Sequence, residues 1–125
     1  MNRALNGING EYGILNCSNQ YILFMPNYTI YLTSTAQDDI EDIYHYIAYE
    51  LCEPLTAQNY RRGIMESIRK LSIYGGSIAI SQRESIQKRW GPKARTITYK
   101  KMTIIFNVIN DVIYIRRIIA GSLVI

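Results

Sequence analysis

Long apolar runs are missing from this sequence, and the longest that occur fall far short of the roughly 20 residues a membrane helix requires. The opening Met1-Asn2-Arg3-Ala4-Leu5-Asn6-Gly7 likewise has none of the continuous apolar stretch of a signal peptide. A soluble cytoplasmic protein, with no membrane partner, is the expectation. Cysteine is nearly absent: Cys17 and Cys52 stand without any paired Cys/His spacing, so neither a disulfide framework nor a zinc site is indicated. No metal and no other cofactor is therefore expected. His45 is the sole imidazole, which narrows the acid–base chemistry available to the chain.

What is present fits one domain. The chain has 125 residues, 48% of them hydrophobic, which is enough for one core of ordinary size. Its formal net charge of +4 hides a division. Residues 1–60 carry one basic and seven acidic side chains, whereas residues 61–125 carry thirteen basic and three acidic ones, an excess of ten. Such a concentration suits a polyanion such as nucleic acid, or an acidic protein that covers the basic surface; a merely solvated surface is the alternative.

Residues 1–24 are rich in Asn and Gly, with one short apolar run, Tyr21-Ile22-Leu23-Phe24. Tyr28 to Thr33 is β-branched and aromatic, with Ile30 and Leu32 on one face, and reads as a strand. The period then changes. Ser34 to Asp39 supplies hydroxyl caps and first-turn acids, and Ile40, Ile43, Ile47 and Leu51 mark an amphipathic helix that ends near Cys52, before Pro54. The acids Asp38, Asp39, Glu41 and Asp42 are expected to favour the start of this helix rather than to meet a partner. Thr56 is the expected cap of a second helix with the stripe Tyr60, Ile64, Ile68 and Leu71, stopping at Gly75-Gly76. So short a connection makes the two helices an antiparallel hairpin.

Ser77 to Ser81 is compatible with a short strand, and Ser85 to Lys93 reads as a basic connection without assigned regular structure. Arg95–Tyr99, Thr103–Ile109 and Val112–Ile119 read as strands, the last two joined by a tight Asn110-Asp111 turn. The expected fold is α+β, a helical hairpin on one face of a small antiparallel sheet, with the other face open and partly polar. Strand alternation should send Arg116 and Arg117 to opposite faces.

The order of residues resembles the RelE/ParE toxins. An opening strand is followed by Thr35-Ala36, Asp38-Asp39-Ile40, Ile43, Tyr46-Ile47 and Ala57. Arg95, Tyr99, Ile105-Phe106, Val108, Val112-Ile113-Tyr114-Ile115, Arg117-Ile118-Ile119 and Gly121 then resemble the family's closing hairpin, so the similarity runs from about Tyr28 to Gly121. The resemblance implies the toxin of a type II toxin–antitoxin system, associated with growth arrest and plasmid stabilisation. It also implies a partly disordered acidic antitoxin as partner, in a possible hetero-oligomer. Some members of the family cut messenger RNA on the ribosome, whereas ParE-like ones poison DNA gyrase.

The choice between those targets rests on the site. The RNA-cutting members resemble one another in having a basic residue within the strand matching Thr103 to Val108, and a His, Arg or Tyr constellation near the chain end. Here Thr103 stands where that arginine is expected, and Ala120 to Ile125 has no ionisable side chain. Cleavage through the ribose hydroxyl needs a base, an acid and cations around the phosphate. The sequence offers chiefly cations: Arg83, Lys88, Arg89, Arg95, Lys100, Lys101, Arg116 and Arg117 form the candidate target- or nucleic-acid-binding set. Catalytic candidates reduce to Arg95, Tyr99, Lys100, Lys101 and Glu84, with Tyr99 and Tyr114 able to stack on bases but each as compatible with packing on the sheet.

The preferred reading is a ParE-like, non-nucleolytic toxin that binds gyrase through its basic surface and helical hairpin. The alternatives are a ribosome-dependent mRNA endonuclease and a degenerate toxin that only binds its antitoxin. Residues 1–24 are expected to be an extension, with the toxin domain over 25–125 and Met25 the translation start used in the cell. Intact mass of the natively expressed protein checks this, and a mass that includes residues 1–24 refutes it.

Overall fold

The structure is a computed structural model that describes residues 28–123. The extension over 1–24, the Met25 start, Cys17 and the final Val124-Ile125 lie outside the described residues. The chain runs β1 (Thr29–Leu32), α1 (Ser34–His45), a π-helical turn (Tyr46–Glu50), α2 (Pro54–Tyr74), a 3₁₀ turn (Gly75–Ser77), α3 (Glu84–Trp90), β2 (Arg95–Tyr99), β3 (Met102–Ile109), β4 (Val112–Ala120) and a closing 3₁₀ turn (Gly121–Leu123). The strands form one sheet in the order β1-β4-β3-β2. β2, β3 and β4 are the expected antiparallel meander, but β1 lies parallel to β4, so the sheet is mixed rather than purely antiparallel. A parallel partner needs a long crossover, and everything from α1 to β3 supplies it.

The helical hairpin covers one face of this sheet. Ala36 and Ile40 from α1, and Ile64, Ile68 and Leu71 from α2, close over Ile30, Ile104, Phe106, Ile113, Ile115 and Ile118. These positions repeat every three or four residues on the helices and mostly every two on the strands, so each element presents one apolar face to the same layer. Gly75 ends α2 where the backbone meets the sheet: a Cβ there would lie 2.2 Å from Ile113 Cδ1. The absence of a side chain thus lets the helix descend onto β4.

Helix boundaries differ from expectation for local reasons. Thr33, one residue before the expected caps, is the cap of α1, its hydroxyl accepting from Ala36 N at 3.2 Å. α2 starts at Pro54 rather than at a cap on Thr56, since proline has no N–H to leave unsatisfied at a first turn. Thr56 instead donates to the Glu53 carboxylate at 2.9 Å. Residues 77–81 make no strand among the described elements beyond a single bridge, Ile80 to Arg95.

The segment expected to be irregular holds α3, and its packing corrects the expectation of an open second face. Ile86 and Trp90, four residues apart on α3, pack with Ala94, Ile105 and Ile119 in a second apolar cluster. Ile105 alternates with the hairpin-facing Ile104 and Phe106, so this cluster lies on the reverse of the sheet. α3 stops at Gly91, which takes a φ of 101°, before Pro92.

A β-bulge corrects the reading of the two arginines. β4 pairs Phe106 with Ile115 but Ile105 with Arg117, leaving Arg116 as the extra residue. The alternation that would have sent Arg116 and Arg117 to opposite faces is broken at that step. Arg117 reaches α1, where its Nε and Nη2 donate to the Asp39 carboxylate at 2.8 and 3.1 Å. Asp39 also accepts from Ile118 N at 2.9 Å, beyond the point where β1 stops pairing with β4. It is therefore not an N-terminal helix charge, as expected, but the clamp between α1 and the sheet edge. Glu41 departs from the same expectation, receiving both of its hydrogen bonds from Arg61 on α2 at 2.9 and 3.0 Å.

Replacing Asp39 with Ala leaves Ile118 N without its acceptor and Arg117 without its carboxylate, and should lower stability by about 2–3 kcal/mol. Asp39→Asn, which keeps an acceptor for Ile118 N, should lose less. Urea unfolding of the three proteins checks the order, and equal losses for Ala and Asn would show that the ion pair alone matters.

Candidate functional site

Between α3 and the β1 edge, the reverse face of the sheet keeps a polar and aromatic surface. β1 and β4 place Tyr31 and Tyr114 opposite each other, with ring centroids 5.6 Å apart and edge to face. The register sets Asn107 beside Tyr114, and the Asn107 side chain is held at both ends. Its Nδ2 donates to Trp90 O at 3.3 Å, and its Oδ1 accepts from Arg116 Nη1 at 2.7 Å. Arg116 is exposed, so its remaining guanidinium N–H groups can meet an anion from solvent. Arg89 lies over the Trp90 ring at 4.8 Å, a cation–π contact that adds a second charge, from α3, to that of Arg116 on β4.

The other expected site residues are dispersed. Arg95 pairs in register with Phe106 on the hairpin side, and its Nη1 donates to Gly75 O at 3.1 Å. Its Nε is buried without a hydrogen-bond partner. Tyr99 also turns to the hairpin, packing at 5.3 Å against Tyr60, with its hydroxyl 1.8 Å from where a Cβ on Gly63 would lie. Burial, then the neighbouring Tyr99, push the Tyr60 phenol above its usual range, so it stays neutral. Lys100 sits in the β2–β3 turn at a φ of 53°, with its Nζ 6.0 Å from the Tyr60 ring and 5.8 Å from that of Tyr99. Lys101 is exposed beside it and its carbonyl accepts from Gly121 N at 2.8 Å.

Arg83 precedes α3, and Glu84 and Lys88 pair with each other at 3.2 Å on its exposed side. Arg117 is committed to Asp39, whose hydrogen bond holds the guanidinium pKa above its already high usual value. The candidate set thus divides: Arg116 and Arg89 frame the reverse face, Lys100 and Lys101 stand at the β2–β3 turn, and Arg95 and Arg117 support the fold. His45 is exposed at the far end of α1, its ring edge-on to Tyr44 and tilted against Tyr49, with centroids 5.9 and 5.6 Å away.

Thr103 is buried on the reverse face, its hydroxyl 3.6 Å from where a Cβ on Gly121 would be. Sequence reasoning missed Tyr31, Asn107 and Trp90, which lie in three different segments. Their shared face follows only from the parallel register of β1 and from α3. Among the described residues no group of three or more His, Cys, Asp or Glu is arranged to hold a metal ion, and no helix is long and apolar enough to cross a membrane.

No family model matches the chain, and no curated protein matches it in sequence. Its fold does match a solved structure described as "Chromosomal ParDE TA system from P. aeruginosa", with a TM-score of 0.61 and 25% sequence identity. The match covers 75% of this chain and 96% of that one.

The contact between Gly63 and Tyr99 gives a test of this assignment of roles. Gly63→Ala should destabilise by about 1–3 kcal/mol through overpacking, and adding Tyr99→Leu should recover part of that loss. Additive losses in thermal melts would mean that the tyrosine is not what the glycine accommodates.

Proposed function

Taking the chain as a ParE-like member of the RelE/ParE superfamily, we propose that it is the toxin of a type II toxin–antitoxin pair, inhibiting DNA gyrase by binding rather than by cutting nucleic acid. The observation that carries this reading is the placement of the proton-transfer groups. The reverse face presents Arg116, Arg89 and three aromatic rings, while His45 lies at the far end of the hairpin and Glu84 is paired with Lys88. Arg95 and Tyr99, which a nuclease reading would employ, are engaged with Gly75 and Tyr60 on the hairpin side. A cationic surface without an adjacent base can bind and orient an anion but lacks a group to take the ribose proton.

The described match to a ParDE structure supports an antitoxin partner. Charge supports an acidic one that folds over the cationic surface and shields Arg116 and the β2–β3 turn lysines. The cytoplasm, where gyrase acts, is the compartment this reading requires.

The test is inducible expression in a bacterium with growth, chromosome integrity and messenger RNA followed together. Growth arrest with chromosome breaks and intact messenger RNA is expected. Rapid loss of messenger RNA would instead establish the endonuclease, and unimpaired growth a chain that only binds its antitoxin.

A further inference from the structure

Among the described residues, four exposed large apolar side chains lie within ten residues of one another at the tip of the helical hairpin, while Tyr31, Ile73, Tyr74, Ile109 and Leu123 are exposed elsewhere. Within residues 46–55, Tyr46 is 56% exposed, Tyr49 69%, Leu51 49% and Leu55 69%. These side chains are displayed because the chain does not leave α1 by an ordinary cap. It widens into the π-helical turn, with Leu51 N donating to Tyr46 O at 3.1 Å, and Glu53 N then donates to Ile47 O at 3.0 Å. Cys52 takes a φ of 56° to complete the reversal. Beneath the turn Ile47, Ala48 and Ala57 are buried together. The tip therefore has a packed interior, and its outward apolar groups are not the exposed remnant of an incomplete core. π-Helical turns of this kind recur at functional sites.

Charge identifies what such a surface can accept. From Tyr28 to Tyr60 there is no lysine or arginine, and the exposed Glu50 and Glu53 stand among the four apolar side chains. The neighbouring cations of the basic half have contacts of their own, Arg61 with Glu41 and the Tyr44 ring, Arg62 with Asn59, and Lys100 with the Tyr60 and Tyr99 rings. A nucleic acid or an acidic polypeptide would meet like charge from Glu50 and Glu53 here, whereas both suit the cationic reverse face around Arg116 and Arg89.

We propose that the hairpin tip, Tyr46, Tyr49, Leu51 and Leu55 framed by Glu50 and Glu53, is the surface by which the chain docks on its target protein, and that it accepts an apolar ridge rimmed by lysine or arginine. The proposal rests on the reading of the chain as a toxin that acts by binding, and divides its surface between two partners. The acidic antitoxin takes the cationic reverse face around Arg116 and Arg89, and the target takes the acidic tip. An amphipathic helix with a basic flank is the simplest element of that description, lying against the turn by its apolar face.

Two probes and two variants of the full chain test this. The probes are a synthetic amphipathic helix with a leucine face and lysine flanks, and the same peptide with glutamate for lysine. With the isotope-labelled chain, the lysine peptide is expected to perturb the amides of residues 46–55 and the glutamate peptide to leave them unchanged. In Tyr49→Ser/Leu55→Ser, affinity for the lysine peptide should fall about tenfold or more, as expected for loss of central apolar anchors. Glu50→Lys/Glu53→Lys should reverse the preference between the peptides. All four replacements are at exposed positions, and a native-like amide spectrum confirms the fold of each variant.

Absence of tip perturbation, equal response to both peptides, or undiminished affinity in the serine variant overturns the proposal. Concentration-dependent shifts of the same amides without peptide also overturn it, by assigning the tip to a second copy of the chain. Induction of the serine variant should no longer arrest growth, and arrest equal to that of the wild type overturns the link to the target. Failure of the wild type to arrest growth would count against the toxin reading and this link with it, while the peptide result still decides whether the tip docks a basic apolar ridge.

Discussion

The arrangement depends on how β4 is completed once β1 runs out. β1 accompanies β4 only from Val112 to Ile115, yet β4 continues to Ala120. An uncovered strand edge exposes N–H and C=O groups that invite pairing with other chains. Here α1 takes over from β1. Thr33 donates its hydroxyl to Ile115 O at 2.7 Å, and Asp39 accepts from Ile118 N at 2.9 Å while gripping Arg117. Because Thr33 is also the cap of α1, the residue that ends the strand starts the helix and ties both to the sheet. With α1 fixed at the edge of β4, α2 can lie only alongside it, and the hairpin tip is carried to the end away from the β3–β4 turn.

That clamp has consequences for the charge available to partners. Arg117 and Arg95 look from composition like part of a cationic site, but one closes the sheet edge and the other holds the end of α2. Both perform the bonding that arginine does best, several directed N–H groups to fixed oxygens. What remains for recognition is Arg116, steadied by Asn107 from one side, and the cations around α3 and the β2–β3 turn. The bulge that lets Arg117 reach Asp39 is also what inserts Arg116 on β4, so structural and recognition roles are assigned at neighbouring positions by one irregularity.

Most of the fold was legible in periodicity. The stripe from Ala57 through Tyr60, Ile64, Ile68 and Leu71 has only one helical interpretation, and the β3–β4 turn is readable because Asn110 tolerates its φ of 56°. α3 was not, since seven residues with one apolar pair, Ile86 and Trp90, give too few repeats to define a period; Gly91-Pro92 marked its end but nothing comparable marked its start. The bulge was invisible because it depends on the partner strand rather than on β4 itself. Of the candidate site, residue types were legible and placement was not. Arg95 and Tyr99 look available until register assigns them to the hairpin side, and Tyr31 enters the site only because β1 pairs with β4, whose sequence lies some eighty residues later.

The division of charge along the chain is only partly undone by folding, which leaves two acids of the hairpin tip without an ion pair among the described residues. Opposite charges drawn from the two halves would be expected to pair wherever the surface lets them approach, and Asp39 with Arg117 and Glu41 with Arg61 do so. Glu50 and Glu53 cannot follow, because the π-helical turn carries them past the end of α1, beyond the reach of the strands that hold Arg116. Surface ion pairs contribute little to stability, so leaving these acids unmatched costs the fold almost nothing. Their value lies in discrimination, since an apolar surface rimmed by carboxylates disfavours an acidic partner and favours a basic one.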